Sequence, residues 1–261
     1  MADCTESKID VRGCKIHMRR GGKGEPLLFL HGAGGIPGWI PAFQSLADRF
    51  DVMAPDHPSF GLSDQPDWLD DMNDLALFYL DLIDTLKLDG VHVVGQSLGG
   101  WLALEMAVRN CTRIKSLTLV GSAGIRIKGK PIADIFMMDP ADLTRELFFD
   151  QSYADRILGM NVSDEQLDIQ IRNRVSTARL GWQPRLFNPA LRKWLHRITA
   201  PVHVVWGDSD KIVDPAYAAE FGRVLAGAQV TMIEKAGHLP HIEQAGPFVD
   251  AVSGFIAKKA A

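Results

Sequence analysis

Val91-His92-Val93-Val94-Gly95-Gln96-Ser97-Leu98-Gly99-Gly100 decides how this chain is read. A β-branched run enters Gly-x-Ser-x-Gly, and a helical pattern from Leu98 to about Asn110 leaves it. Strand, one sharp turn and helix are the context that a nucleophile elbow needs. Gly95 and Gly99 leave room where backbone segments must pass closely. The serine then stands at the tip, with its hydroxyl above the sheet. The helix behind it aims its first amides and the positive end of its dipole at the same point. An oxyanion formed when Ser97 attacks a carbonyl would be met there. Taken alone the pattern is weak, because turns rich in Gly and Ser are common.

Upstream, Pro26-Leu27-Leu28-Phe29-Leu30 is continuously apolar, as suits a central strand buried on both faces. It ends in His31-Gly32-Ala33-Gly34-Gly35. This is no dinucleotide fingerprint, since Pro37 stands where a third glycine belongs. Gly21-Gly22-Lys23-Gly24 is followed by Glu25, so it is no phosphate loop either. The 31–35 loop reads instead as backbone that donates an amide to a tetrahedral intermediate. Lys8–Val11 and Cys14–Met18 alternate about Arg12-Gly13 and predict an edge hairpin. A helix is expected over Trp39–Phe50 and a short strand over Asp51–Ala54. Another helix, capped by Asn73 or Asp74, is expected to run to Lys87 with Leu75, Phe78, Leu82, Ile83 and Leu86 on its buried face. Asp56 and His57 precede the elbow and read as a structural turn, with His57 a secondary candidate for lining a pocket.

Downstream, Ser116–Val120 is a further apolar strand. From 125 to 194 the rhythm of strand, turn and helix stops. Pro140–Asp150 and Ser163 to about Leu180 read as helices, the second opened by a Ser163/Gln166 capping box. Leu143, Leu147, Phe148, Ile157, Leu158, Leu167 and Ile171 are expected to supply its apolar faces. This stretch is taken as a helical cap insertion over the C-terminal edge of the sheet, with 1–124 and 195–261 forming the core domain. The rhythm resumes with Pro201–Gly207 and the loop Asp208-Ser209-Asp210. A helix opened by Asp214-Pro215 and ending at Gly227 comes next. The strand Gln229–Ile233, then Ala236-Gly237-His238, and a helix opened by Pro247 complete the chain.

The composition is that of an ordinary globular domain: 261 residues, 46% hydrophobic and 23% charged. A net charge of −4 argues against a nucleic-acid partner, which asks for a basic patch. No apolar run is long enough to span a bilayer. Met1-Ala2-Asp3-Cys4-Thr5-Glu6 lacks the basic and apolar regions of a secretion signal. Cys4, Cys14 and Cys111 cannot all pair within the chain, so a reducing cytoplasm is expected.

A serine hydroxyl is a poor nucleophile at neutral pH. It needs a base within reach, and the base needs a third group to fix its tautomer. Acidic and histidine candidates lie downstream, each in a loop after a strand, and in a parallel sheet such loops share one edge. Five pieces in this order resemble the α/β-hydrolase fold family over nearly the whole chain. They are His31-Gly32-Ala33-Gly34-Gly35, Pro55-Asp56 with Phe60-Gly61-Leu62-Ser63-Asp64, and Gly95-Gln96-Ser97-Leu98-Gly99-Gly100, then Trp206-Gly207-Asp208-Ser209-Asp210 and Ala236-Gly237-His238. The resemblance implies an α/β fold, with a mostly parallel twisted sheet flanked by helices and a helical cap. It implies Ser97 as nucleophile, His238 as general base and then acid, and Asp210 as the orienting carboxylate. The backbone amides of Ala33 and Leu98 would form the oxyanion hole.

Rivals exist for two of these roles. Asp214 better suits a helix cap, and Asp208 is out of register. Some relatives carry the acid after the next strand, where this chain reads Gly121-Ser122-Ala123-Gly124 without a carboxylate. His241 rivals His238, and their spacing would suit a metal pair, but no carboxylate or cysteine cluster completes a site. His241 therefore reads as structural or as pocket rim. His31 is expected to hold its loop by hydrogen bonds, and Trp101, Trp182 and Trp206 to pack. No metal and no cofactor are expected.

Serine rather than aspartate at the elbow disfavours dehalogenase and epoxide hydrolase chemistry. It points to acyl transfer to water, with a small-molecule ester or lactone as substrate. The second reading is a C–C hydrolase of ring-cleavage diketones. Those enzymes show a Trp after the catalytic His and an Arg in the cap. Here Leu239 follows His238, and Arg172, Arg174 and Arg179 are the candidates for a cap cation. A non-catalytic binding protein on the same fold is the third. Phe136, Met137, Met138, Phe148 and Phe149 either line a pocket or pack the cap's own core.

Overall fold

Alternation explains the centre of the molecule. In β3 (Glu25–Leu30), Leu28 and Leu30 join one apolar core and Leu27 and Phe29 the other. In β7 (Val202–Gly207), Val202, Val204 and Trp206 face the first core and Val205 the second. A strand has a side-chain period of two, so an unbroken apolar run feeds both faces. The computed structural model describes residues 4–260, with side chains to Lys258. Met1 to Asp3, part of the stretch read against a secretion signal, lie outside the described residues.

The remaining strands are β1 (Thr5–Val11), β2 (Cys14–Gly21), β4 (Phe50–Pro55), β5 (Val91–Gln96), β6 (Ile114–Val120) and β8 (Gln229–Ile233). They form one sheet in the order β1-β2-β4-β3-β5-β6-β7-β8. It is parallel from β4 to β8, while β1 and β2 are antiparallel. Arg12 and Gly13 both take positive φ, 53° and 88°, as a two-residue hairpin turn requires. Asp10 Oδ1 accepts the Gly13 amide at 2.8 Å and closes that turn.

Residues of α2 (Met72–Thr85), α3 (Leu98–Arg109) and α8 (Ala216–Val224) pack into the first core. Those of α1 (Pro41–Leu46) and of the last helix, α9 (Ala245–Ala260), pack into the second. Several boundaries differ from the sequence reading. The helix expected over Trp39–Phe50 is cut to six residues, because Pro41 sits in its first turn and Phe50 already pairs in β4. Asp71 caps α2 in place of Asn73 or Asp74. Its side chain accepts the amides of Asn73 and Asp74, and Asp74 returns the bond as the far half of a capping box. The helix expected to reach Gly227 stops at Val224, and the last helix opens at Ala245, before Pro247.

Between β6 and β7 the described residues hold four α-helices and no strand: α4 (Pro140–Glu146), α5 (Gln151–Leu158), α6 (Asp164–Gly181) and α7 (Leu191–Trp194). Ser163 and Gln166 form the expected capping box. The apolar faces are partly inverted. Phe148 is buried, but Ile157, Leu158, Leu167 and Ile171 are exposed, and so are Met137 and Phe149. On α6 the buried side carries Asn173, Ser176, Thr177 and Leu180, while Leu167, Ile171 and Val175 face outward. No helix among the described residues is long and apolar enough to cross a membrane.

Candidate active site

Ser97 is the N-cap of α3, at φ 54° and ψ −112°. That positive-φ conformation is sparsely populated and costs a non-glycine residue on the order of 1–3 kcal/mol, and the packing around it enforces the turn. Ser97 N–H donates to Val120 O at 2.8 Å, and Ser97 O accepts from Ala123 N at 3.1 Å. The glycines on either side are required by close approach. A Cβ at Gly95 would fall 2.4 Å from Gly99 O, and one at Gly99 only 2.0 Å from Leu30 O. The turn is thereby pressed between β3 and β6, and Ser97 keeps partial exposure among buried neighbours.

Asp210 lies in the loop after β7, and His238 in the loop after β8. His238 Nδ1 pairs with Asp210 Oδ2 at 2.8 Å, both side chains buried. Asp210 Oδ1 accepts the amides of Ile212 and Val213, each at 2.9 Å, so one oxygen is anchored while the other faces the imidazole. The pair lies beside the serine's own turn. A Cβ at Gly121, directly after Val120, would come 3.1 Å from His238 Nδ1 and 3.2 Å from Asp210 Oδ2. Gln96 Nε2 donates to His238 O at 3.4 Å and ties β5 to the His238 loop. Among the described residues, no hydrogen bond joins Ser97 Oγ to His238.

The rivals are placed elsewhere. Asp208 is exposed and accepts from Ser209 Oγ. Asp214 Oδ1 caps the Ala216 amide at 2.8 Å and Oδ2 pairs with Lys130. His241 is buried between Phe29 and Phe248. Trp101 and Trp206 are buried, donating to Glu105 Oε1 and Val213 O respectively. Trp182 is exposed, with the Arg185 guanidinium 4.1 Å from its ring centre.

The 31–35 loop abuts the serine, since a Cβ at Gly32 would lie 3.2 Å from Ser97 Cβ. His31 Nδ1 donates to Gly32 O at 2.7 Å, and His31 Nε2 accepts the His57 amide at 2.9 Å. His57 stacks on His31 with ring centres 3.6 Å apart and meets Tyr79 Oη through Nδ1. His57 is fully buried and packs beneath the loop. The amides of Ala33 and Leu98 have no acceptor among the described residues. These are the two donors named for an oxyanion.

Four residues escaped the sequence reading. Glu243 Oε2 accepts the Gly237 amide at 2.6 Å, and Oε1 accepts those of Phe149 and Asp150 at 2.9 Å. Burial pushes its carboxyl up, against these three bonds. It joins the His238 loop to the helical insertion, as does His238 N–H donating to Leu147 O at 2.8 Å. Asn173, Ser176 and Thr177 make corresponding bonds on the other side. Their one signal in the sequence is polar side chains at i, i+3 and i+4 in a helix.

Five buried histidines give an acid liability, His92 among them, lowered by burial against the opposing pull of Glu25. Burial holds His31 and His203 down at about 4 and His241 at about 3, and it lowers His57 as well, with His31 adding to that. Because the folded values lie below the unfolded one, their stability is complete above about pH 6.5 and is lost as pH falls. Each costs up to about 1.4 kcal/mol per pH unit in that window. Urea midpoints are expected to decline steadily from pH 7 to pH 5. Midpoints that stay level across the range would contradict burial in the neutral form.

The sequence model of the Alpha/beta hydrolase family matches residues 27–251. The chain is 29% identical over 260 residues to a dihydrolipoyllysine-residue acetyltransferase component of an acetoin cleaving system from Cupriavidus necator, covering 92% of this chain and 66% of that protein. It is 26% identical over 270 residues to 2-hydroxymuconate semialdehyde hydrolase from Pseudomonas sp. strain CF600, covering 96% and 93%. The solved structure of a candidate lipase from Acinetobacter baumannii AYE matches with a TM-score of 0.80 at 25% identity, over 98% of this chain and 92% of that one.

Proposed function

The chain belongs to the alpha/beta hydrolase family, and from that premise we propose that it is a serine hydrolase cleaving a carboxylic ester or lactone through an acyl-enzyme. The carrying observation is the His238–Asp210 pair at 2.8 Å beside the turn that holds Ser97. Ser97 Oγ attacks the carbonyl while His238 Nε2 takes its proton. The oxyanion lies between the amides of Ala33 and Leu98. His238 returns the proton to the leaving alkoxide, then activates water to clear the acyl group. Asp210 holds the imidazole with its proton on Nδ1. Residues 125–194 form the cap that shapes what reaches the serine.

Cleavage of a C–C bond in a ring-cleavage diketone is the second reading, favoured by the likeness to 2-hydroxymuconate semialdehyde hydrolase. Against it stand the cap arginines. Arg172 donates to Gly61 O, Arg174 to Phe136 O and Met138 O, and Arg179 to Leu69 O, so each is engaged with backbone. Leu239 also follows His238. A panel of p-nitrophenyl esters, lactones and vinylogous diketones tests both. Ester or lactone turnover, with fluorophosphonate labelling of Ser97, is the expected result. Turnover confined to diketones would replace this reading with the second, and neither turnover nor labelling would leave a binding protein.

A further inference from the structure

The helical insertion reaches the loop that faces the serine from behind. On α6, Asn173 Nδ2 donates to Gly34 O at 2.9 Å, and Thr177 Oγ1 donates to Ala33 O at 3.2 Å. Gly32 O already accepts from His31 Nδ1 at 2.7 Å and from Gly35 N at 3.1 Å. Three successive carbonyls of the loop are therefore held, and the Ala33 amide has no acceptor among the described residues. Asn173 does double duty, since its Oδ1 accepts the Gly61 amide at 2.9 Å. Ser176 Oγ donates to Ser59 O at 2.7 Å. One face of α6 thus spans the loops that follow β3 and β4.

This arrangement is costly for a helix. Asn, Ser and Thr are weak helix formers, and an amide buried without partners costs about 1–3 kcal/mol. All three side chains are buried, and each makes its bond to backbone of the sheet domain. The fit is also tight: Gly35 takes φ +80°, and a Cβ there would lie 2.6 Å from Asn173 Nδ2. Apolar residues would serve if α6 only had to be covered, and this helix turns Leu167, Ile171 and Val175 outward instead.

We propose that Asn173 and Thr177 are positioning residues of the oxyanion hole, holding the 32–34 peptides so that the Ala33 amide faces the tip of Ser97. The proposal rests on the acyl-transfer reading. Seating α6 and completing the hole are then one event. A substrate that lifts α6 loses rate rather than affinity, so selectivity for the acyl group is expressed in kcat.

The test compares Asn173→Ala, Asn173→Asp, Thr177→Val and Thr177→Ser with wild type. Asn173→Asp keeps the acceptor for Gly61 N but cannot donate to Gly34 O. Deleting one oxyanion donor outright costs about 10²- to 10³-fold, so displacing it should cost less. We expect kcat to fall about tenfold in Asn173→Ala, Asn173→Asp and Thr177→Val, with KM within about twofold. Affinity for a boronic acid, which mimics the tetrahedral adduct, should fall in step with kcat/KM. Thr177→Ser, which keeps the hydroxyl, should restore both. In the same proteins, amide exchange over residues 31–36 should speed up in the three impaired variants alone. The proposal is overturned if folded Asn173→Ala keeps wild-type kcat, if boronate affinity does not follow kcat, or if exchange over 31–36 is unchanged. The exchange arm needs no turnover. A wild type inactive on every ester and lactone would sink the acyl-transfer reading, while exchange would still decide whether α6 holds the loop.

Discussion

Ser97→Ala will lower kcat on the best ester substrate by about 10⁴- to 10⁶-fold, with little change in KM and complete loss of fluorophosphonate labelling. The size follows from the role assigned to one atom. Without Oγ no acyl-enzyme forms, and what remains is binding plus the two amides of the hole. His238→Ala should cost nearly as much, and the double variant should be no worse than Ser97→Ala, because the base has no other task. The expectation fails if Ser97→Ala keeps more than about one part in a hundred of the activity, since the reaction would then run without this serine.

Asp210→Asn should cost about 10⁴-fold in kcat with the fold intact. The reason is specific to this loop. Oδ1 is fixed by the amides of Ile212 and Val213, so the oxygen of an asparagine must occupy that place. Its NH₂ then points at His238 Nδ1, where Oδ2 stood at 2.8 Å. Two donors cannot face each other, so the imidazole shifts its proton to Nε2 and loses the lone pair needed for Ser97. Asp208→Asn, on an exposed side chain, should stay within about threefold of wild type, as surface changes usually do. Equal losses in the two variants would mean that Asp210 acts through loop structure and not through the imidazole.

Much of the architecture was legible because it depends on short-range rules. The run Pro26–Leu30 admits burial on both faces, and β3 has it. Arg12-Gly13 between alternating stretches admits a tight hairpin, and both residues take positive φ. The loops bearing Asp210 and His238 meet because parallel strands share an edge, which follows from order alone. The helical insertion obeyed no such rule. In α6 a helical period separates two faces, but nothing in the period says which is inward. Hydrophobicity marks Leu167 and Ile171 as an apolar face, yet both are exposed, and the buried side carries Asn173 and Thr177, bonded to Gly34 O and Ala33 O. Glu243 was hidden for a related reason: its partners are backbone amides, which leave no mark on residue identity.

The strand order has a consequence for how such a chain is made. β5 lies in the middle of the sheet, while β7 and β8 are laid down last at one margin. On the proposed assignment the nucleophile is therefore synthesised long before the groups that activate it. A serine hydroxyl without its base and carboxylate is a poor nucleophile at neutral pH. On that assignment Ser97 gains its base and carboxylate only once the β7–β8 margin of the sheet is in place.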